Sequence, residues 1–182
     1  ASASYSALLK TVTNLATARF LSDQASSNTL GYLALLAVRS SSGSLKERVF
    51  GALENRLDID SRGAYIKQNM ANIGWAYYET PEKDTALFLK ALVADKRNHE
   101  VTDEMLRWIM ASRASDGSWG STNTSVAVID ALADYLSWKR ETESDFELTL
   151  SRGTETVQTF DFGPETILKT FSAFLPVAAF TP

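Results

Sequence analysis

Ala114-Ser-Asp-Gly-Ser-Trp-Gly-Ser-Thr122 interrupts two stretches of helical periodicity with an aromatic residue set between two glycines. Asp116-Gly117 spells a turn in which Gly117 takes positive φ, Trp119 covers the end of a core, and Gly120 lets the chain re-enter a helix at Thr122. Each of these roles is structural. The stretch reads as a joint between paired helices, so the order of the helices on either side of it decides the fold.

Working backward from the joint, Thr102 starts a helix that turns Met105, Trp108 and Ile109 inward, and Lys83 to Ala94 forms another around Ala86, Leu89, Leu92 and Val93. Ser61 is expected to open a helix through Ile66, Met70, Ile73, Ala76 and Tyr77, which Thr80-Pro81 ends because proline restricts the residue before it. Upstream, Ser44 is the expected cap of a helix with the stripe Leu45, Val49, Leu53 and Leu57. Leu30 to Val38, capped by Asn28 or Thr29, is apolar on all sides. Tyr5, Leu8, Leu9, Val12, Leu15 and Ala16 mark a first amphipathic helix. Forward of the joint, Thr122 or Asn123 caps a helix with Val126, Ile129, Leu132, Ala133 and Leu136 on one side. Asp130, Asp134, Ser137 and Glu141 lie on the other.

Amphipathic and nearly wholly apolar helices thus tend to alternate along the chain. In a barrel of two concentric helix layers the inner helices touch neighbours on every side and the outer ones show one face to water. A partial α/α toroid of helical hairpins over residues 1–142 is therefore expected. It is favoured over a flat helical array, because no fixed repeat period is visible.

After Thr142 the pattern changes to alternation. Phe146, Leu148 and Leu150 alternate with Glu147, Thr149 and Ser151, Arg152-Gly153 is a turn, and Val157, Phe160 and Phe162 follow. Gly163-Pro164 breaks the chain before a third apolar run, Ile167 to Phe174. Residues 143–182 are thus expected to form a short antiparallel β segment of about three strands, marginal unless packed on something else.

Composition narrows the function. The 182 residues hold 18 Lys and Arg against 22 Asp and Glu, a net charge of −4, with the basic residues scattered; a nucleic-acid footprint is not expected. No apolar run approaches the roughly 18 residues a membrane span needs, and no signal segment is read at the start. With no cysteine and a single histidine, thiolate metal sites and cysteine nucleophiles are excluded, and His99 with carboxylates is a poor set for zinc or copper. No cofactor and no metal are expected.

Other candidate sites have structural readings. Asp58 and Asp60 could in principle trade a proton, but at a helix end beside a cap residue they read as a solvated loop, since residues two apart on a helix do not share a face. Asp130 and Asp134 do share one, and with Ser137 and Glu141 they read as an exposed face. His99 sits in a polar run, Asp95 to Glu100, and reads as a surface imidazole. Trp75, Tyr77 and Tyr78 are read as core before ligand platform.

The Asp-Gly-x-Trp-Gly spelling at residues 116–120 resembles the Gln-Trp repeats of triterpene cyclases and related helical toroids. The acidic Asp-x-Asp-Asp cluster of the alkene-protonating class does not occur here. A longer match joins Trp108-Ile109, Asp116-Gly117-Ser-Trp119-Gly120-Ser-Thr122, Val126 to Tyr135 and the strands from Phe146. It resembles the end of the thioester domain of the alpha-2-macroglobulin and complement superfamily, its bacterial branch above all, running into the returning half of a CUB-type β domain. The match spans roughly residues 105 to 175.

That resemblance implies one part of a periplasmic or extracellular protease-trapping inhibitor. In such proteins cleavage of a bait region exposes an internal Cys–Gln thioester. The thioester would lie outside this chain, which has no cysteine. The implied partners are proteases, met through the full-length protein, and the remaining β domains of the same polypeptide. Self-association through an exposed sheet edge is also expected. The alternatives are a toroid enzyme, terpene-cyclase-like or polysaccharide-cleaving, and a protein-binding scaffold domain.

Overall fold

A computed structural model of the chain describes residues 7, 11, 14, 25–40, 42–68, 79–140, 145–166 and 169–172. The described chain is mixed and helix-rich. It holds five helices, α1 (Ser27–Arg39), α2 (Gly43–Glu54), α3 (Pro81–Ala94), α4 (Thr102–Ala111) and α5 (Thr122–Lys139), and two hairpins. The hairpins are β1 (Leu57–Asp60) with β2 (Gly63–Ile66), and β3 (Phe146–Arg152) with β4 (Glu155–Phe162). Two compact units result, Ala1–Trp138 and Lys139–Pro182. Among the described residues no helix is long and apolar enough to cross a membrane.

In the first unit the helix starts are set by short polar side chains. Ser26 caps α1, accepting from Thr29 N, and Thr80 caps α3 by accepting from Lys83 N, with Pro81 in the first turn where its missing N–H costs nothing. At α5 the Ser121 hydroxyl accepts from Thr124 N at 3.1 Å. The caps of α1, α2 and α5 therefore fall before the residues expected from the sequence: Ser26, Ser42 and Ser121 in place of Asn28 or Thr29, Ser44, and Thr122 or Asn123.

Cross-helix contacts give the helix directions. The Ser26 hydroxyl donates to Glu79 at 2.7 Å, Asn28 donates to Asp84 at 3.1 Å, and Gly31 lies against Leu87, so α1 and α3 run parallel. Thr80 meets Thr124 at 3.3 Å and Lys90 reaches Asp130 and Asp134, so α3 and α5 run parallel as well. The other two helices run the opposite way. Lys46, in the first turn of α2, pairs with Asp95 at the end of α3, while Tyr135 late in α5 donates to Asp103 at the start of α4. α1, α3 and α5 thus run one way, with side chains of both α1 and α5 meeting α3, and α2 and α4 run the other way.

The core follows from that order. Ten of the fourteen residues of α3 are buried, as befits a helix with neighbours on every side. Phe50 meets Phe88 edge to face at 5.7 Å, with Leu45, Val49 and Leu53 around them. A second cluster joins Leu89, Trp108, Ile109, Trp119, Val128 and Tyr135. Burying side chains of this size stabilises by about 1.5–3 kcal/mol each relative to leaving them in water.

Two expectations fail here. Ser61 opens no helix: Leu57–Asp60 and Gly63–Ile66 pair antiparallel across a Ser61-Arg62 turn, held by Asp60 accepting from Arg62 N at 2.8 Å. Leu57 is therefore a strand residue and not the end of the α2 stripe. The later part of the expected helix, with Met70, Ile73, Trp75, Ala76, Tyr77 and Tyr78, lies outside the described residues, as does most of the first amphipathic helix. Of the latter, Ala7, Thr11 and Asn14 are helical and exposed. In α5 the inward residues are Thr124, Val128, Ala131 and Tyr135, whereas Val126, Ile129, Ala133 and Leu136 face solvent.

The second unit is built on the β3–β4 ribbon, with Phe146 opposite Phe162, Leu148 opposite Phe160 and an irregularity between Leu150 and Ser151. Gly153 takes φ +59° in the turn. Where a third strand is expected, Lys169–Ser172 has no strand structure, and Ile167, Leu168, Ala173 and Phe174 lie outside the described residues.

Candidate functional site

The Asp116–Thr122 joint is a tied turn. Asp116 accepts from Ser118 N at 2.9 Å and from its hydroxyl at 2.7 Å, and these bonds hold the carboxyl below its ordinary range. Gly117 takes φ +86°, as the Asp-Gly turn leads one to expect, and Gly120 also lies in the left-handed region at +78°. Trp119 is buried and donates Nε1–H to the Ile109 carbonyl at 2.7 Å, while its backbone N–H is taken by Ser125. Arg113 donates to the Gly117 carbonyl and lies over the Trp119 ring. Thr122 begins α5 and is exposed. The polar groups of Asp116 and Trp119 are used in holding the joint closed.

Asp58 and Asp60 come out differently from the sequence reading. They are two apart on a strand and so share a face. Asp58 sits 2.7 Å from Lys67 and accepts from Tyr65; Asp60 is paired with Arg62 at 2.7 Å and accepts from Trp108 Nε1 at 3.1 Å. The Lys67 hydrogen bond lowers the Asp58 pKa, and the Arg62 hydrogen bond holds Asp60 down to about 2. A proton donor near neutral pH needs the reverse shift. Asp58 instead braces the hairpin internally and Asp60 ties it to Trp108 of α4, whose ring stacks on Tyr65 of β2 at 4.8 Å and 13°.

Asp130 and Asp134 clamp Lys90 at 2.8 and 2.6 Å, so they are a bridge from α5 to α3 and not a free polar face. Burial opposes charge on Lys90, but its hydrogen bonds to the two carboxylates prevail and raise its pKa. His99 is half-buried rather than a free surface imidazole: Nδ1 accepts from Val101 N, Nε2 lies 3.6 Å from Glu54, and the ring meets the edge of Phe88. Among the described residues no three His, Asp or Glu side chains are placed to hold a metal ion.

The first unit exposes apolar side chains along α5. Val126 and Ile129 are 61% and 58% exposed, and with Ala133 and Leu136 they form a stripe along α5 that nothing among the described residues covers. Beside it an open groove of about 460 Å³ runs over α3, walled by Tyr32, Leu35, Leu36, Leu87, Val126 and Ala127 together with the polar Arg39, Lys90, Asn123 and Asp130. In the second unit Phe146, Leu148 and Phe171 are exposed, Phe146 stacks on Phe162 at 4.9 Å, and Phe171 meets Phe160 and Phe162. The ribbon's strands pair only with each other among the described residues. Sequence reasoning missed the α5 stripe as a surface because its spacing of three and four is also that of a core face.

Comparison with protein-family models and with curated proteins gives no match for this chain.

Proposed function

We propose that this chain is a non-enzymatic interaction module, the closing part of a helical toroid followed by strands of a β domain, in a macroglobulin-like protease-trapping inhibitor that works in the periplasm or outside the cell. The observation that carries the reading is the exposed apolar stripe of α5. α3, enclosed by α1 and α5, is buried on all sides; α5 is apolar on two sides and has a described neighbour on one. A further helix beside Val126, Ile129, Ala133 and Leu136 satisfies it, as the next inner helix of a toroid does.

Support from chemistry points the same way. The carboxylates that could have served a toroid enzyme, Asp58 and Asp60, are salt-bridged and held ionised, and Asp130 and Asp134 are spent on Lys90. The apolar ribbon face and its open edges fit completion by further strands of a β domain. Any thioester lies elsewhere in the polypeptide.

The test is protease entrapment by the whole polypeptide that carries this segment. A protease held in a cage keeps its activity on a small chromogenic peptide and loses it on a large protein such as casein. Equal loss on both substrates, or loss on neither, overturns the reading.

A further inference from the structure

Where α1, α3 and α5 bring their first turns together, the chain buries a carboxyl. Asp84, in the first turn of α3, has no exposed surface, and its Oδ1 receives one hydrogen bond, from Asn28 of α1. Oδ2 is buried and has no partner among the described residues. An ionised carboxylate has room for about four hydrogen bonds, and a buried one with a single donor is strongly disfavoured against its protonated form. The surroundings are of both signs. Glu79, which accepts from Ser26, adds negative charge, whereas Lys83 on α3 and Arg56 after α2 add positive charge. α5 contributes the neutral Thr124, bonded to Thr80.

We infer that Asp84 is a proton-operated latch between α1 and α3: protonated, it is accommodated in the junction, and on losing its proton it loosens the first turn of α1 from that of α3. Loosening is local because farther along the two helices Ala34 and Ala37 of α1 share one buried apolar cluster with Phe88, Ala91 and Leu92 of α3.

Electrostatics support the sense of the switch. Burial pushes the Asp84 pKa from 3.8 up to about 7; the Asn28 bond opposes the shift and Glu79 adds to it, with Lys83 and Arg56 opposing. Between those two values the closed junction holds a proton that the opened one releases. Closure is therefore strongest below about pH 4, weakens by up to about tenfold per pH unit to neutrality, and is level above it.

Hydrogen exchange of the whole chain from pH 5 to 8, corrected for intrinsic exchange rates, reads the latch at the amides of Thr29–Leu33 and Lys83–Leu87. Their protection is expected to fall by about tenfold or more between pH 5 and 7 and then to level off, and Asp84→Asn is expected to remove that dependence. Protection that does not change with pH, or that changes alike in Asp84→Asn, overturns the proposal. A measurement on the unaltered chain guards against a variant that fails to fold. The Asp84 carboxyl carbon, followed by NMR, is expected to titrate near neutrality, and a midpoint near 4 overturns the latch.

Discussion

Gly63 shows how little sequence it takes to fix a tertiary contact. It has φ +140°, and a Cβ built on it would stand 2.2 Å from the Glu104 carbonyl oxygen. The clash is with backbone, which cannot swing aside as a side chain does, so the β1–β2 hairpin lies on α4 only because the residue is glycine. Gly120 also has positive φ, +78°, but nothing lies within 4 Å of its added Cβ. Gly120→Ala is therefore expected to cost about 1–2 kcal/mol, the strain of the left-handed backbone alone, and Gly63→Ala about 3 kcal/mol or more, since the carbonyl contact adds to it. Urea unfolding of the two variants checks the order, and equal losses would mean that the hairpin does not rest on α4 in solution.

At the scale of the element, α5 separates what periodicity tells from what it leaves open. The helix there reads as having one apolar side, Val126, Ile129, Leu132, Ala133 and Leu136, yet Val128, Ala131 and Tyr135 form a second stripe at the same helical spacing. Which of them is inward is a matter of where α3 and α4 stand, and no local pattern carries that. The Lys83–Ala94 and Thr102 helices were legible because apolar residues recur in each at helical spacing, and the Asp116–Thr122 joint because Asp-Gly and Trp-Gly spell a turn. The β1–β2 hairpin was not, because Ile66, Met70, Ile73, Ala76 and Tyr77 recur at helical spacing while the turn depends on a short Asp60–Arg62 bond. Val126→Asp and Ile129→Asp discriminate the two placements of α5. Exposed positions are expected to change stability by no more than about 0.5 kcal/mol, whereas core positions would lose about 2–5 kcal/mol. Denaturant midpoints decide it.

On the scale of the whole molecule, the two units differ in how far they can stand on their own residues. Ala1–Trp138 encloses two apolar clusters, but the described part of Lys139–Pro182 is a two-stranded ribbon with an exposed aromatic face. An isolated ribbon of that kind is marginal in water, and its open edges are templates for another strand. The chain is thus expected to self-associate with rising concentration through β3 and β4, sedimentation velocity showing the mean mass increase between about 1 and 100 µM, a span that brackets the micromolar affinities typical of small interfaces. Phe146→Lys with Leu148→Lys puts charge on the apolar face at positions where both side chains already meet solvent, so the chain stays folded and the association is lost. Val126→Asp leaves the ribbon untouched and so leaves its association in place. Were Val126→Asp to abolish the mass increase and the lysine pair to leave it intact, the contact would belong to α5, and the ribbon's edges would be satisfied within the chain.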